Sequence, residues 1–189
     1  MKQAKVLSKE ELKRVLAVIA HGRHAARNRM ALMLSYYAGL RVGEIASLTW
    51  SQVVDEAGRV KEEIRLDKTQ TKGGQFRTIF INAKLKREIR EFQSTFEATP
   101  MLDGPLIKTQ KRSFFSANTL CQMFGELYAL AGIDGATSHS GRRWFITKLA
   151  HAGVSAKVIM TLVGHKHLST TQRYIDVNDE MMRTAVEVL

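Results

Sequence analysis

Tyr174 stands in the stretch GHKHLSTTQRYID, residues 164–176, which carries two histidines, three hydroxyl residues and an arginine but little that could fill a core. A phenol in such company is either a packing residue with polar neighbours or a group placed to react. Residues that can bind an anion or move a proton precede it, in the order Arg41, Lys72, His139, Arg142 and His165. Guanidinium forks match phosphate geometry and stay charged at any working pH. A tyrosine has an ordinary pKa of about 10, so it attacks only where an acceptor helps remove its proton.

Each member has an ordinary explanation when taken alone. Arg41 follows Gly39-Leu40 at the start of a helix, where free N–H groups gather and an arginine adds to an anion site. A surface arginine paired with Glu44 would look the same. Lys72 sits beside Gly73-Gly74 at a hairpin tip, where it either reaches outward or merely solubilises the turn. His139 and Arg142 are three apart at a helix entry and can face one spot. The small residues Ser140 and Gly141 between them allow close approach of a backbone or a phosphate. His165 and His167 invite a metal reading, but no cysteine or carboxylate cluster accompanies them at ligand spacing, so no metal site is expected. His21, His24 and His151 read as surface or capping residues.

The elements that must position these groups are mostly helices. Ser8-Lys9-Glu10-Glu11 is a capping box opening a helix over 9–20. A second helix over 24–38 stops at Gly39, and a short third begins near Val42. Three β-like segments follow: one near Val53, then KEEIRLD, then RTIFIN. The glycine pair turns the last two into a hairpin. Asn82 caps a helix over 83–96, and Pro100, Asp103, Gly104 and Pro105 mark a loop. Ser116 or Asn118 opens a helix that ends at Gly132. Helices over 141–152 and from Ala156 to Gly164 come next, then the Tyr174 stretch, then a last helix over 179–188 capped by Asn178. The expected fold class is mainly α with a small three-stranded antiparallel sheet (α+β), as one domain over 1–189.

Composition agrees with a polyanionic partner. The chain has 189 residues and 44% hydrophobic content, enough for one domain with a real core. Lysine and arginine number 29 against 18 acidic residues, a net charge of +11, which favours a polyanionic partner over a merely basic, nonspecific surface. The basic stretches at 21–29 and 108–112 could add contacts or be solvated faces. The single cysteine, Cys121, excludes an intrachain disulfide and reads as a buried structural thiol. No secretory signal is present, and the longest uncharged run, between Arg29 and Arg41, is too short to cross a bilayer. A soluble cytoplasmic protein is expected, with no membrane partner.

Taken together, AGLRVGEIASL (residues 38–48), TKGGQFRTI, HSGRRWFITKLAHAGVSAKVIMTLVGH and STTQRYID resemble the catalytic domain of the tyrosine recombinases, or phage-type integrases. The resemblance covers nearly the whole chain. It implies that Arg41 and Arg142 clamp a scissile phosphate, that Lys72 is the hairpin lysine, that His139 and His165 are the active-site histidines, and that Tyr174 is the nucleophile. Glu44 matches an acidic position that supports the first arginine. Arg143 stands where many relatives carry histidine and others arginine. The implied activity is site-specific DNA recombination (integration, excision or inversion) through a 3′-phosphotyrosyl intermediate, with no cofactor.

The resemblance further implies double-stranded DNA as partner, a homo-tetramer on synapsed DNA and a monomer in solution. The N-terminal core-binding domain common in the family is not expected here. The chain is then an excised catalytic domain or a short member similar to the fimbrial-switch invertases; the stretch GRHAARNRMALML favours the second. Two other functions fit the same residues: a type IB topoisomerase-like enzyme that relaxes DNA, and a non-cutting DNA-binding regulator with the same fold.

Overall fold

The computed structural model describes residues 3–96, 101–111, 113–175, 177 and 179–187. Helix α1 (Lys9–Ala20) opens on the expected capping box: Glu11 Oε2 accepts the Ser8 N–H at 2.9 Å, and Ser8 Oγ accepts the Glu11 N–H at 3.2 Å. Helix α2 (Ala25–Ala38) is the centre of the molecule, with Met30, Leu32, Met33, Leu34 and Tyr36 all buried. An almost wholly apolar run of this kind has no outer face to give to water. It stops at Gly39, whose φ of +62° is the left-handed position that glycine reaches without a Cβ penalty.

Around α2 pack α1, α5 (Ala83–Gln93) and α7 (Ser140–His151), while α6 (Ala117–Leu130) packs on α1 and on the short α3 (Val42–Ser47). Asn82 caps α5 and Ser116 caps α6, each accepting a backbone N–H at 3.0 Å. Helix α5 ends at Gln93, a turn before the expected Phe96, because Phe96 turns back onto Trp50 with its ring edge to face. Helix α8 (Ala156–Val163) ends at Gly164, and two helices follow, α9 (Leu168–Gln172) and α10 (Asp179–Val186). The expected cap Asn178, the loop residue Pro100 and Arg112 of the second basic stretch lie outside the described residues. Among the described residues no helix is long and apolar enough to cross a membrane.

The sheet corrects the sequence reading. It has two strands, not three: β1 (Glu63–Leu66) pairs antiparallel with β2 (Arg77–Phe80), Glu63 opposite Phe80 and Leu66 opposite Arg77. The segment near Val53 is instead a helical turn, α4 (Trp50–Val53), flanked by single bridges from Thr49 to Pro105 and from Val54 to Val60. Thr49-x-x-Gln52 explains this. The Gln52 side chain accepts the Thr49 N–H at 3.1 Å, as in one half of a capping box. Trp50 and Val53, three apart, then bury on one side.

A close crossing sets the site's foundation. A Cβ at Gly141 would lie 2.5 Å from Ser35 Oγ and 2.7 Å from Tyr36 Cδ2, so α7 meets α2 with no room for a side chain. Gly141 therefore serves helix contact, and Ser140 beside it is fully buried, its Oγ accepting the Thr137 N–H at 3.0 Å. Gly141→Ala is expected to lower unfolding stability by about 1–3 kcal/mol, the usual cost of overpacking, read as a shifted urea midpoint. Unchanged stability would mean that the two helices separate freely.

Candidate active site

The site forms where four chain segments converge. Arg41 is the N-cap of α3, in extended conformation, and its N–H donates to Glu44 Oε2 at 2.7 Å. Its guanidinium donates from Nη1 to Glu44 Oε1 at 2.9 Å and from Nη2 to Gly164 O at 3.3 Å. Arg142 comes from the first turn of α7 and is 4% exposed. It donates from Nη1 to Gly39 O at 2.6 Å and from Nη2 to Val163 O at 2.5 Å. Both helix-stopping glycines thus belong to the site: one offers its carbonyl to Arg142, the other to Arg41. Burial, then the charges of Arg41 and Arg77, lower the Arg142 pKa, yet a guanidinium stays charged at neutral pH.

Arg77 is a member that sequence reasoning missed. It begins β2 and is 8% exposed, donating from Nη2 to Glu44 Oε2 at 2.8 Å and from Nη1 to Val163 O at 2.6 Å. A signal was available: in RTIF the buried positions are Arg77 and Ile79, so strand alternation puts an arginine on the apolar side. Glu44, 1% exposed, thereby carries two arginines rather than one. Three guanidiniums around one buried carboxylate leave a surplus of positive charge that an anion would relieve.

The histidines lie in this positive field. His139 is the N-cap residue of α7, and its pKa is lowered by partial burial and by Arg142, Arg41 and Lys72. Lys72 is exposed at the hairpin tip, and its charge is felt at His139, so the tip faces the same site. His165 follows Gly164, and burial, Arg142, Arg41 and Arg77 push its pKa down to about 4. Both imidazoles are therefore neutral at neutral pH. His165 Nδ1 lies 2.9 Å from the hydroxyl of Thr171, which is fully buried on α9. Beside these groups a cleft of about 260 Å³ is lined by Arg41, Arg77, Gly164, His165 and residues of the hairpin.

Tyr174 sits one turn beyond α9, its N–H donating to Thr171 O at 2.9 Å. Its ring stacks on His165 with centroids 5.8 Å apart, and the Arg143 guanidinium lies 5.6 Å from the ring centroid. Beneath it is a small separate core of Ile146, Ala150, Ile159 and Val163. Packing and reaction are thus not alternatives for this residue: the ring is seated on an apolar platform beside His165 and the Arg143 guanidinium. The short helix α9 inside this stretch was not expected from sequence; it is what carries Thr171 to His165.

The sequence model of the phage integrase family matches residues 5–181. The chain is 33% identical to tyrosine recombinase XerA of Thermococcus kodakarensis, covering 97% of this chain and 62% of that protein. It is 26% identical to tyrosine recombinase XerD of Neisseria meningitidis serogroup B, covering 96% and 62%. In fold it is similar to the crystal structure of XerA recombinase, with a TM-score of 0.73, 24% identity and coverage of 98% of this chain and 63% of that one. It is also similar to XerH site-specific recombinase bound to difH substrate in a pre-cleavage complex, with a TM-score of 0.69, 21% identity and coverage of 99% and 55%. The chain spans less than two thirds of the length of each of these relatives. A family match over nearly the whole sequence, on a fold shared with solved recombinases, means that this chain belongs to the phage integrase family, the tyrosine recombinases.

Proposed function

We propose that this chain is the catalytic domain of a site-specific DNA recombinase, cutting and rejoining strands through a 3′-phosphotyrosyl bond. One observation carries the reading: Arg41 and Arg142 are anchored on consecutive carbonyls, Gly164 O and Val163 O, beside the histidine on which Tyr174 stacks. Each guanidinium has five N–H donors and engages two of its nitrogens here, so donors remain for a phosphate. Tyr174 Oη attacks phosphorus, its proton passes to neutral His139, and the P–O5′ bond breaks. Lys72 protonates the departing 5′ oxygen. The charge building on the nonbridging oxygens is held by Arg41 and Arg142. We assign the Thr171 hydroxyl, 2.9 Å from His165 Nδ1, as the donor of that pair, the tautomer that leaves Nε2–H free to donate to the same oxygens.

The bond energy is retained in the phosphotyrosine, so a second strand's 5′ hydroxyl reseals it without a nucleotide or metal cofactor. The partner is double-stranded DNA, with four copies of the protein assembled on synapsed sites and single copies in solution. The reaction would take place in the cytoplasm, with integration, excision and inversion as its possible outcomes. The test is a nicked suicide duplex carrying candidate sites: a covalent protein–DNA band is expected. No band on any duplex supports a non-cutting regulator. Relaxation of supercoiled plasmid without sequence preference supports a topoisomerase.

The histidines set the pH dependence. A base whose pKa lies below 6.5 is deprotonated and competent above that pH, and loses competence as pH falls through its pKa. Single-turnover cleavage is therefore expected to hold at neutral pH and to fall on the acid side, below pH 6.5. His139→Gln should remove that limb along with most of the rate. His165→Gln should leave the limb in place, because His165 titrates only near a pKa of about 4. A limb that follows His165 would reverse the two assignments.

A further inference from the structure

Arg77 is placed between the hairpin and both proposed clamp arginines. It shares Glu44 Oε2 with the Arg41 N–H, and Val163 O with Arg142 Nη2. Its aliphatic part passes over Gly164, where a Cβ would come within 2.8 Å of Arg77 Cδ. The hairpin tip just before it is closed on itself: Thr71 Oγ1 donates to Gln75 O at 2.7 Å, and the Gln75 N–H donates back to Thr71 Oγ1 at 3.1 Å. Gln70 ties the other side of the hairpin to Ser47 O at 2.9 Å. On the cleft side the anchor is Arg77. Lys72 lies on the tip between these anchors.

Burying a third guanidinium beside two others is costly, since an apolar residue of similar volume often holds an interior as well as a buried ion pair does. The Arg77 pKa is lowered by burial, a cost that Glu44 offsets and Arg41 adds to. A spacer would need no charge at this point; a residue that must register two elements against a third needs a rigid fork.

We propose that Arg77 is a positioning residue that locks the Lys72 hairpin onto the phosphate clamp, so that the lysine meets the departing 5′ oxygen. This role rests on reading the site as a strand-cleaving centre. A misplacement of about 1 Å in such a group can cost about 100-fold in rate.

The test compares two suicide duplexes, one with the natural 5′ oxygen at the scissile phosphate and one with a 5′ bridging sulfur. The thiolate leaves without needing a proton, so the sulfur duplex bypasses Lys72. Arg77→Gln is expected to slow adduct formation about 100-fold on oxygen and less than about 10-fold on sulfur, the pattern also expected of Lys72→Ala. On oxygen the double variant should be no slower than Lys72→Ala alone. Equal deficits on both duplexes, a fully additive double variant, or wild-type rates for Arg77→Gln would each overturn the role. If Arg77→Gln loses its cooperative melting transition, Arg77→Lys, which keeps the charge and loses the fork, carries the same comparison with the same outcomes. A wild-type chain that forms no Tyr174 adduct on either duplex overturns the strand-cleaving reading itself, and this role with it.

Discussion

Tyr174→Phe is expected to abolish the covalent protein–DNA adduct, by at least about 10⁴-fold, while leaving the fold and DNA binding as they are. The size follows from what the change removes. Phenylalanine keeps the ring that packs against Ile146, Ala150, Ile159 and Val163 and stacks on His165 at 5.8 Å. It also keeps a π-face for the Arg143 guanidinium 5.6 Å away. Only the hydroxyl goes, and with it the atom proposed to attack phosphorus. Melting temperature and gel-shift affinity should therefore match wild type, while the adduct band on a nicked duplex disappears. An adduct that persists at wild-type yield would move the nucleophile elsewhere. A variant that loses binding together with cleavage would make the hydroxyl a DNA contact.

The sequence made some parts of this site legible and hid others for physical reasons. Local signals survived: the capping box at Ser8 and Glu11, and the left-handed stops at Gly39 and Gly164, depend on a few neighbouring residues. The segment around Val53 resembles a strand by its apolar residues, while Thr49 and Gln52 already write a helix start. Gly141 is legible as a place of close approach, but what approaches is α2, a contact between residues far apart in sequence.

The arginine network was hidden for the same reason. Val163 O accepts from Arg77 and Arg142, and Gly164 O from Arg41, and a backbone carbonyl carries no signature in the residue type. Glu44 was legible as the partner of Arg41, three residues away, and not as the partner of Arg77. Thr171 looked like one hydroxyl of three until α9 turned it toward His165.

Substitutions at Arg142 should separate holding the fold from the proposed stabilisation of the reaction, and the two variants should part company. Arg142→Ala removes two hydrogen bonds, but unequally. Val163 O keeps the Arg77 Nη1 donor at 2.6 Å, so Gly39 O, which accepts from Arg142 at 2.6 Å, bears the main loss. Leaving one buried carbonyl short of its donor costs about 1–3 kcal/mol. Relief of repulsion with Arg41 and Arg77 offsets part of that, since both depress the Arg142 pKa. The variant should thus unfold at lower denaturant yet remain folded.

Cleavage should fall much further, by a factor of about 100 to 1,000, the loss seen when one preorganised oxyanion donor is removed. Arg142→Lys keeps the positive charge, so DNA affinity and its salt dependence should stay near wild type. A single ammonium cannot span Gly39 O, Val163 O and a phosphate oxygen together, so the single-turnover rate should still fall about 100-fold. Charge alone would predict that lysine rescues the rate; fork geometry predicts that it rescues only binding. A lysine variant that cleaves at the wild-type rate would show that the site needs a cation at this position and not the bidentate fork that α7, Gly39 and Val163 are arranged to hold.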